Sequence, residues 1–167
     1  MIIVSCITNN YGLLFNNRRI AQDRTILELV YKQFIHFKKL HPDIQFFMNK
    51  YSYKLFLTYL NNLNPILSKK EYLNFIKSII VSDSFLDEAG QYDICFVECN
   101  DTLPYFKSNK VIGIIFYKWN NAYPCDYFFA LPSDFTQHFI LQKETKHIGH
   151  SHSTILEEVL RHEQWRS

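Results

Sequence analysis

The residues that most constrain the fold are those at positions 2–8, IIVSCIT, which are apolar or small on both faces of an extended chain. A strand of this kind is buried on both sides, as in mostly parallel sheets with helices packed on each face. Positions 110–119, KVIGIIFYKW, are the longest β-branched and aromatic run and predict a second central strand. Together the two runs predict an α/β fold.

Strand-like and helix-like segments alternate through the first two thirds of the chain. Strands are predicted at 44–49, 78–82 and 92–98, and helices after Asp23, near Ser52, after Ser68 and within 83–90, with a break at 61–65. Two closely spaced runs, 126–132 and 138–146, predict an antiparallel pair, and a helix is predicted from Thr154 onward. This order predicts a single α/β domain over residues 1–167, a three-layer sandwich around a mostly parallel sheet with an antiparallel C-terminal edge.

The charge balance and the cysteines narrow the class of protein. With 18 basic and 16 acidic residues, no overall charge favours a nucleic-acid or membrane surface, although a nucleic-acid partner stays open. No apolar run approaches the roughly 20 residues of a membrane span, and no secretory signal is recognisable, so we expect a cytoplasmic protein. The four cysteines form no CxxC pair and are expected to be buried and reduced.

Several polar residues follow the first predicted strand in the sequence. Ligands of open α/β sheets bind beyond the carboxyl ends of the strands, and we expect Gly12 to turn the chain tightly at that edge. Arg18 and Arg19 can hold a phosphate or carboxylate, with Asp23 or Glu28 as the acid that contacts a pteridine-like or base-like ring. The alternative is that Asp23 only caps the helix and that the arginines pair with surface carboxylates.

Two further groups of polar residues belong to the same edge. Asn49, Lys50 and Ser52 lie where a strand meets a helix N-terminus, a place that attracts anions, although Ser52 can equally be a cap. After the long strand come residues that can form a flat pocket for an aromatic ligand or simply pack together: Trp119, Asn120, Tyr123 and Asp126.

Three histidines in KHIGHSH suggest a metal site, but their spacing supplies no complete ligand set. We expect His147, His150 and His152 to lie in a loop and predict no metal, with His152 left open as a general acid or base.

Three segments together resemble dihydrofolate reductase. The opening NNYGLLFNNRRIAQD is similar to that family's first turn, FMNKYSYKLF to its second motif and VIGIIFY to its glycine motif, over about residues 1–145. The resemblance implies an NADPH-dependent reductase, with Asp23 or Glu28 as the acid and with Lys50, Ser52 and Gly113 near the cofactor phosphates. The chain departs from the family at Ala21-Gln22, Asn49-Lys50 and Ile114 and in its predicted final helix, where the family has a strand.

A second resemblance covers more of the chain. The segments FNxRRxxxD, MNxYSxKLF, FVE, YxWNxxYPxD and GxSH are similar to a set of small bacterial proteins of unassigned function, some loosely labelled ribonuclease Z. The HxHxDH run of a true zinc ribonuclease of that type is absent from this sequence.

Three functions follow as hypotheses. The first is binding of a nucleotide or pteridine-like small molecule, with NADPH-dependent reduction if the protein is an enzyme. The second is a phosphodiester-processing or nucleic-acid-handling protein that uses Arg18, Arg19, Lys50 and His152. The third is a degenerate reductase fold that binds a protein partner, which the Ile114 substitution favours. The sequence predicts no oligomeric state.

Overall fold

The computed structural model of the protein describes residues 1–60 and 68–165. Its strands are β1 (Ile2–Thr8), β2 (Gly12–Phe15), β3 (Arg18–Arg19), β4 (Phe46–Met48), β5 (Ile79–Val81), β6 (Ile94–Phe96), β7 (Gly113–Trp119), β8 (Tyr127–Phe128), β9 (Phe139–His147) and β10 (Ile155–His162). Its helices are α1 (Arg24–Leu40), α2 (Lys50–Leu60), α3 (Lys69–Ser78), α4 (Phe85–Glu88), α5 (Leu103–Lys107) and α6 (Phe135–His138), and a 3₁₀ turn at Glu163–Trp165 follows β10. The break predicted at 61–65 lies outside the described residues.

Seven strands form the main sheet in the order β5-β4-β6-β1-β7-β10-β9. The five strands from β5 to β7 are parallel, while β10 runs antiparallel to both of its neighbours, β7 and β9. The predicted α/β class, with a mostly parallel sheet and an antiparallel C-terminal edge, is confirmed.

Helices cover both faces of this sheet. Alternate residues of β1, Val4 and Cys6, pack with α1, α2 and α3, while Ile3 and Ile7 pack on the other face with α4, α5 and α6. Burial on both faces explains why the strand is apolar throughout rather than at every second position. The arrangement is consistent with the predicted three-layer sandwich. Among the described residues, none of the helices is long and apolar enough to cross a membrane.

The helix caps predicted at Asp23 and Ser68 form as expected. The Asp23 side chain accepts a hydrogen bond from the Thr25 N–H at the start of α1, and Ser68 accepts one from the Glu71 N–H at the start of α3. Both caps satisfy amides that the first turn of a helix leaves without partners.

The predictions for the last third of the chain were partly wrong. Residues from Thr154 onward form strand β10 rather than a helix, and the predicted strand at 126–132 is only the two-residue β8, which pairs with β2 in a separate sheet. The strand predicted at 138–146 pairs with β10 instead. The register shift between Val159 and Leu160 comes from an extra residue of β9, Gln142, and β10 itself pairs with β7 without interruption. The apolar residues of β10 lie on both faces of the strand, Ile155 and Val159 on one and Leu160 on the other, which gives its sequence a helix-like spacing.

A hairpin, β2–β3, follows β1, and the tight turn predicted for Gly12 at the end of β1 has Tyr11, not Gly12, in the left-handed conformation. The left-handed residues are Tyr11, with φ 62°, and the hairpin asparagines Asn16 and Asn17, with φ 49° and 54°; no glycine among the described residues has a positive φ. A two-residue turn with both residues left-handed matches the twist of a hairpin and favours Asn. Gly12 is required for close packing instead, because a Cβ there would lie 2.6 Å from Cys125 Cβ and 2.8 Å from Thr8 Oγ1.

We expect Gly12→Ala to destabilise the protein by about 1–3 kcal/mol, the usual range for overpacking, measured by urea denaturation. Gly113→Ala is the matched control, because the nearest atom to its added Cβ, Leu160 O, lies at 3.4 Å. Adding Cys125→Gly to Gly12→Ala should recover part of the loss. Equal effects of the two alanines would contradict the packing explanation.

Candidate functional site

A buried polar cluster lies beside the carboxyl end of the parallel strands. Its members are Arg19 from β3, Ser52 from the first turn of α2 and Glu98, two residues beyond the end of β6. We call these three residues the Arg19–Glu98 cluster. The predicted edge of the sheet therefore does collect polar side chains, although only part of the predicted set.

The carboxyl group of Glu98 is the least satisfied group in this cluster. Its side chain is 3% exposed, and Arg19 Nη1 lies 3.3 Å from its Oε2 without the alignment of a hydrogen bond. Neither Glu98 oxygen, nor Arg19 Nη1, nor Ser52 Oγ has a hydrogen-bond partner among the described residues. Because buried polar groups in proteins almost always have partners, four unpartnered atoms in one cluster indicate a place where a ligand or solvent completes the bonding.

Burial also changes the acidity of Glu98. Loss of solvent raises its pKa, and the Arg19 guanidinium and the Ser52 hydroxyl, both close to the carboxyl group but not aligned for a hydrogen bond, lower it by less, so the net pKa lies above the ordinary value of 4.5. A carboxyl group of this kind can hold or release a proton at a higher pH than a surface glutamate does.

The Arg19 side chain is held on one side by Tyr51. Its Nη2 donates to the Tyr51 carbonyl oxygen at 2.8 Å, and its guanidinium carbon lies 3.9 Å from the centre of the Tyr51 ring. The backbone N–H of Asn17, in the hairpin turn before β3, donates to Asp126 Oδ2 at 2.7 Å. This hydrogen bond fixes the turn and with it the position of Arg19 on β3. The planar guanidinium is suited to such stacking together with directed hydrogen bonds.

A cleft of about 770 Å³ adjoins the cluster. Its described lining residues are Arg19, Gln22, Arg24, Leu27, Lys54, Leu55, Thr58, Tyr59 and His150. None of these described residues is acidic, and three of them, Arg19, Arg24 and Lys54, are cationic. Arg24 Nη2 lies 3.2 Å from His150 Nδ1, so the loop before β10 contributes to the same wall. The cleft therefore has the charge of a site for an anion.

Both acids predicted from the sequence are already engaged in structural hydrogen bonds. Buried Asp23 accepts from the N–H groups of Thr25, His150 and Ser151 and from the Ser151 hydroxyl. Burial alone would raise the pKa of Asp23, but these hydrogen bonds bring it below its ordinary value of 3.8. Glu28 accepts a hydrogen bond from the Tyr59 hydroxyl at 2.7 Å. Burial raises the pKa of Tyr59, and this hydrogen bond raises it further. The geometry thus favours the capping role for Asp23.

The predicted anion-binding residues do not come together as one site. Arg18 and Lys50 are exposed and do not line the cleft. Asn49, rather than Ser52, caps α2, because its Oδ1 accepts from the Ser52 N–H at 2.8 Å. Gly113 pairs with Ile2 at the opposite end of the sheet, where it lines an apolar cavity of about 710 Å³.

The aromatic residues after β7 mainly pack on one another and on the loop before β10. Trp119 stacks on His152 with ring centres 3.6 Å apart and meets the edge of the Tyr123 ring at 6.1 Å. Asn120 and Asp126 are exposed. The stacked face of Trp119 is therefore covered, and the packing alternative describes this group better than a flat ligand pocket.

Two of the three histidines lie beside Asp23: the His150 N–H donates to it, and His152 Nδ1 lies 3.8 Å from its Oδ2. His147 Nε2 lies 2.7 Å from Glu157 Oε2, His150 contacts Arg24, and His152 stacks on Trp119. Within the described part of the chain, no group of three or more His, Cys, Asp or Glu residues could hold a metal ion.

Sequence reasoning missed Glu98 and the two cleft cations Arg24 and Lys54. A signal for Glu98 was present, because the acid directly follows an apolar strand, where its side chain reaches the carboxyl edge of the sheet. Arg24 and Lys54 gave no such signal, since each is an ordinary charged residue on an amphipathic helix. In comparisons with known proteins, no family model and no curated protein matches the chain. The functional interpretation therefore rests on the geometry of this site.

Proposed function

We propose that the protein binds an anionic small molecule with a nucleotide-like or pteridine-like ring, the anionic group in the cleft and the ring against Glu98. The observation that carries the proposal is the buried Glu98 carboxyl, whose two oxygens accept no hydrogen bond from the described residues, next to a cleft with cations and no described acid. Arg19 belongs to both places, which makes them parts of one site.

The anionic end of the ligand is supported by the donors around the cleft. Arg19, Arg24 and Lys54 come from three different elements, β3, α1 and α2, and they line one cavity. A volume of about 770 Å³ is within the usual range of small-molecule sites. Phosphate or carboxylate oxygens would meet several charge-assisted donors there.

The ring end is supported by Glu98, which takes the role that the sequence suggested for Asp23 or Glu28. An ionised Glu98 accepts hydrogen bonds from ring N–H and amino groups, and a protonated Glu98 donates to a ring nitrogen or carbonyl. Because the pKa of Glu98 is raised, its protonated form persists to a higher pH than that of a surface glutamate. This suits an acid that faces a heteroaromatic ring.

The resemblance to dihydrofolate reductase gives the proposal further support. The sequence predicted a helix after Thr154, where that family has a strand. The segment forms strand β10, so it agrees with the family at this point. The residues expected at NADPH phosphates fit less well, because Gly113 lies at the far end of the sheet and Lys50 outside the cleft. We therefore derive no reaction step through NADPH, and reductase activity and a cytoplasmic location stay predictions.

The proposal is tested by thermal shift with NADPH, NADH, folate and nucleoside monophosphates. We expect at least one of these compounds to stabilise the protein, and Arg24→Ala and Lys54→Ala each to weaken its binding about three- to tenfold. Such a loss corresponds to one hydrogen bond of about 0.5–1.5 kcal/mol. Affinity should also fall as salt is added, because the cleft is open to solvent.

Lys32→Ala is the matched control, because Lys32 is an exposed lysine of the same helix as Arg24 but does not line the cleft. It should leave binding unchanged. A flat response to every compound, or equal losses in the control and in the cleft variants, would contradict the proposed function. Oxidation of NADPH in the presence of folate-like acceptors would test the reductase prediction separately.

A further inference from the structure

Arg19 is shared between the cleft and Glu98. One nitrogen, Nη2, is bonded to the Tyr51 carbonyl, while Nη1 points to Glu98 without a hydrogen bond. The side chain is 9% exposed, yet it forms part of the cleft wall. A group that is incompletely bonded on one side and lines a cavity on the other can exchange its partner when the cavity fills.

Glu98 depends on this guanidinium for its charge. The polar and titratable groups that face it are Arg19 from β3, Ser52 from α2, and the thiols of Cys6 on β1 and Cys99 next in the chain. Of these four, only Arg19 is cationic. A buried carboxylate that loses its counter-charge becomes neutral by taking up a proton, because an isolated charge away from water is strongly disfavoured.

We propose that an anion bound in the cleft draws the Arg19 guanidinium away from Glu98, so that the Glu98 carboxylate takes up a proton as the ligand binds. The inference rests on the proposed function and adds a coupling between its two ends. The proton comes from solvent, the carboxylate becomes a carboxylic acid, and no other bond changes. Binding of the anionic end of the ligand thereby causes Glu98, the acid that faces the ring of the ligand, to become protonated.

Tyr51 and the cleft make this exchange of partners feasible. An oxygen anion offers the guanidinium two aligned hydrogen bonds, which the Glu98 contact lacks. The Tyr51 contacts hold the guanidinium between the two places, so a small rotation changes its partner while the stacking is kept.

The experiment measures proton uptake when sulfate, an anion that does not itself titrate near neutrality, is added to unbuffered protein. Protein and sulfate are mixed at several starting values between about pH 5 and 9, and the acid needed to hold the pH is recorded. We expect an uptake that reaches at most about one proton per bound sulfate, in the window between the Glu98 pKa of the free protein and that of the bound one.

Glu98→Gln should bind sulfate at least as well as the wild type and lose this uptake. Arg19→Met should lose it too, because Glu98 is then already neutral before the anion arrives. His150→Asn removes any contribution from the histidine in the cleft wall and should leave the Glu98 part in place. As a second readout, the infrared carbonyl band of a protonated carboxyl group should grow with sulfate in the wild type and not in Glu98→Gln.

The outcomes separate the inference from the proposed function. Sulfate binding with equal uptake in wild type and Glu98→Gln, or without uptake anywhere in the range, overturns the coupling and leaves the anion site in place. Absence of sulfate binding in the wild type and all variants overturns the cationic cleft and the coupling with it. Uptake confined to proteins that retain both Arg19 and Glu98 supports the inference.

Discussion

Arg19→Met is expected to destabilise the protein by about 3–5 kcal/mol at neutral pH, the range found when one partner of a buried ion pair is removed. The variant leaves the Glu98 carboxyl, 3% exposed, without its counter-charge. Urea denaturation at several pH values is the measurement. Because the folded-state pKa of Glu98 lies above its unfolded value near 4.5, the folded state is favoured below that value, and stability is lost as the pH rises through the folded pKa. The pKa should be higher still in the variant, so its deficit should be small near pH 4 and grow toward neutrality.

The double variant Arg19→Met, Glu98→Gln separates the lost charge pairing from lost packing. Because neither charge is left to bury, the double variant should regain most of the stability that Arg19→Met loses. Its stability should also depend little on pH in this range. If the double variant is as unstable as Arg19→Met alone, Arg19 stabilises the fold mainly through Tyr51. Glu98→Gln alone should remove the fall in stability that the wild type shows as the pH rises from about 4.5 through the folded pKa of Glu98.

Asp23→Ala is expected to destabilise the protein by about 2.5–4 kcal/mol, because it removes both a helix cap and the acceptor for the loop before β10. Loss of the cap accounts for about 1 kcal/mol, and the N–H groups of His150 and Ser151 lose a charged partner worth about 1.5–3 kcal/mol. The folded pKa of Asp23 is below its ordinary value of 3.8, so its stabilisation is present above that value and is lost as the pH falls through the folded pKa. The deficit of the variant should therefore shrink in acid.

Ser68→Ala is the matched control for Asp23→Ala. Ser68 caps α3, and among the described residues its hydroxyl exchanges hydrogen bonds with Glu71 of the same turn, so its loss should be about 1 kcal/mol. Hydrogen exchange should speed up at the amides of residues 150 and 151 in Asp23→Ala and not in Ser68→Ala. Equal losses in the two variants would contradict the view that Asp23 fastens the loop to α1.

Much of the main sheet could be predicted because burial on both faces leaves a direct signature. β1 and β7 are apolar at successive positions, and the caps Asp23 and Ser68 stand just before the helices that they start. These are local features, so the chain carries them regardless of which strands become neighbours.

The last strand could not be predicted because its pattern is not local. β10 carries Glu157 at a buried position, where it is paired with His147, and its apolar residues lie on both faces, Ile155 and Val159 against one core cluster and Leu160 against the other. Ile155, Leu156, Val159 and Leu160 then have the spacing of one face of a helix. Pairing with β7 and β9 on both sides outweighs that local preference.

The candidate site shows the same limit. The order of elements placed Arg19 near the carboxyl edge of the main sheet, but its ion-pair partner Glu98 is far away in the sequence and follows a strand of a different sheet. Asp23 and Glu28 looked available because a sequence does not show that Ser151 and Tyr59 already donate to them. Gly113 seemed suited to a phosphate until the register with Ile2 placed it at the other end.

The position of β10 has a consequence for how the protein is made. It is the last of the described strands, yet it lies inside the sheet between β7 and β9, and the loop before it donates to Asp23 from 127 residues away. Until residues up to 162 have been synthesised, β10 is absent, and the apolar strand β7 is an unpaired edge of the sheet. Such edges pair with other chains, so folding of the nascent protein finishes only after translation has passed β10 and depends on protection of β7 until then.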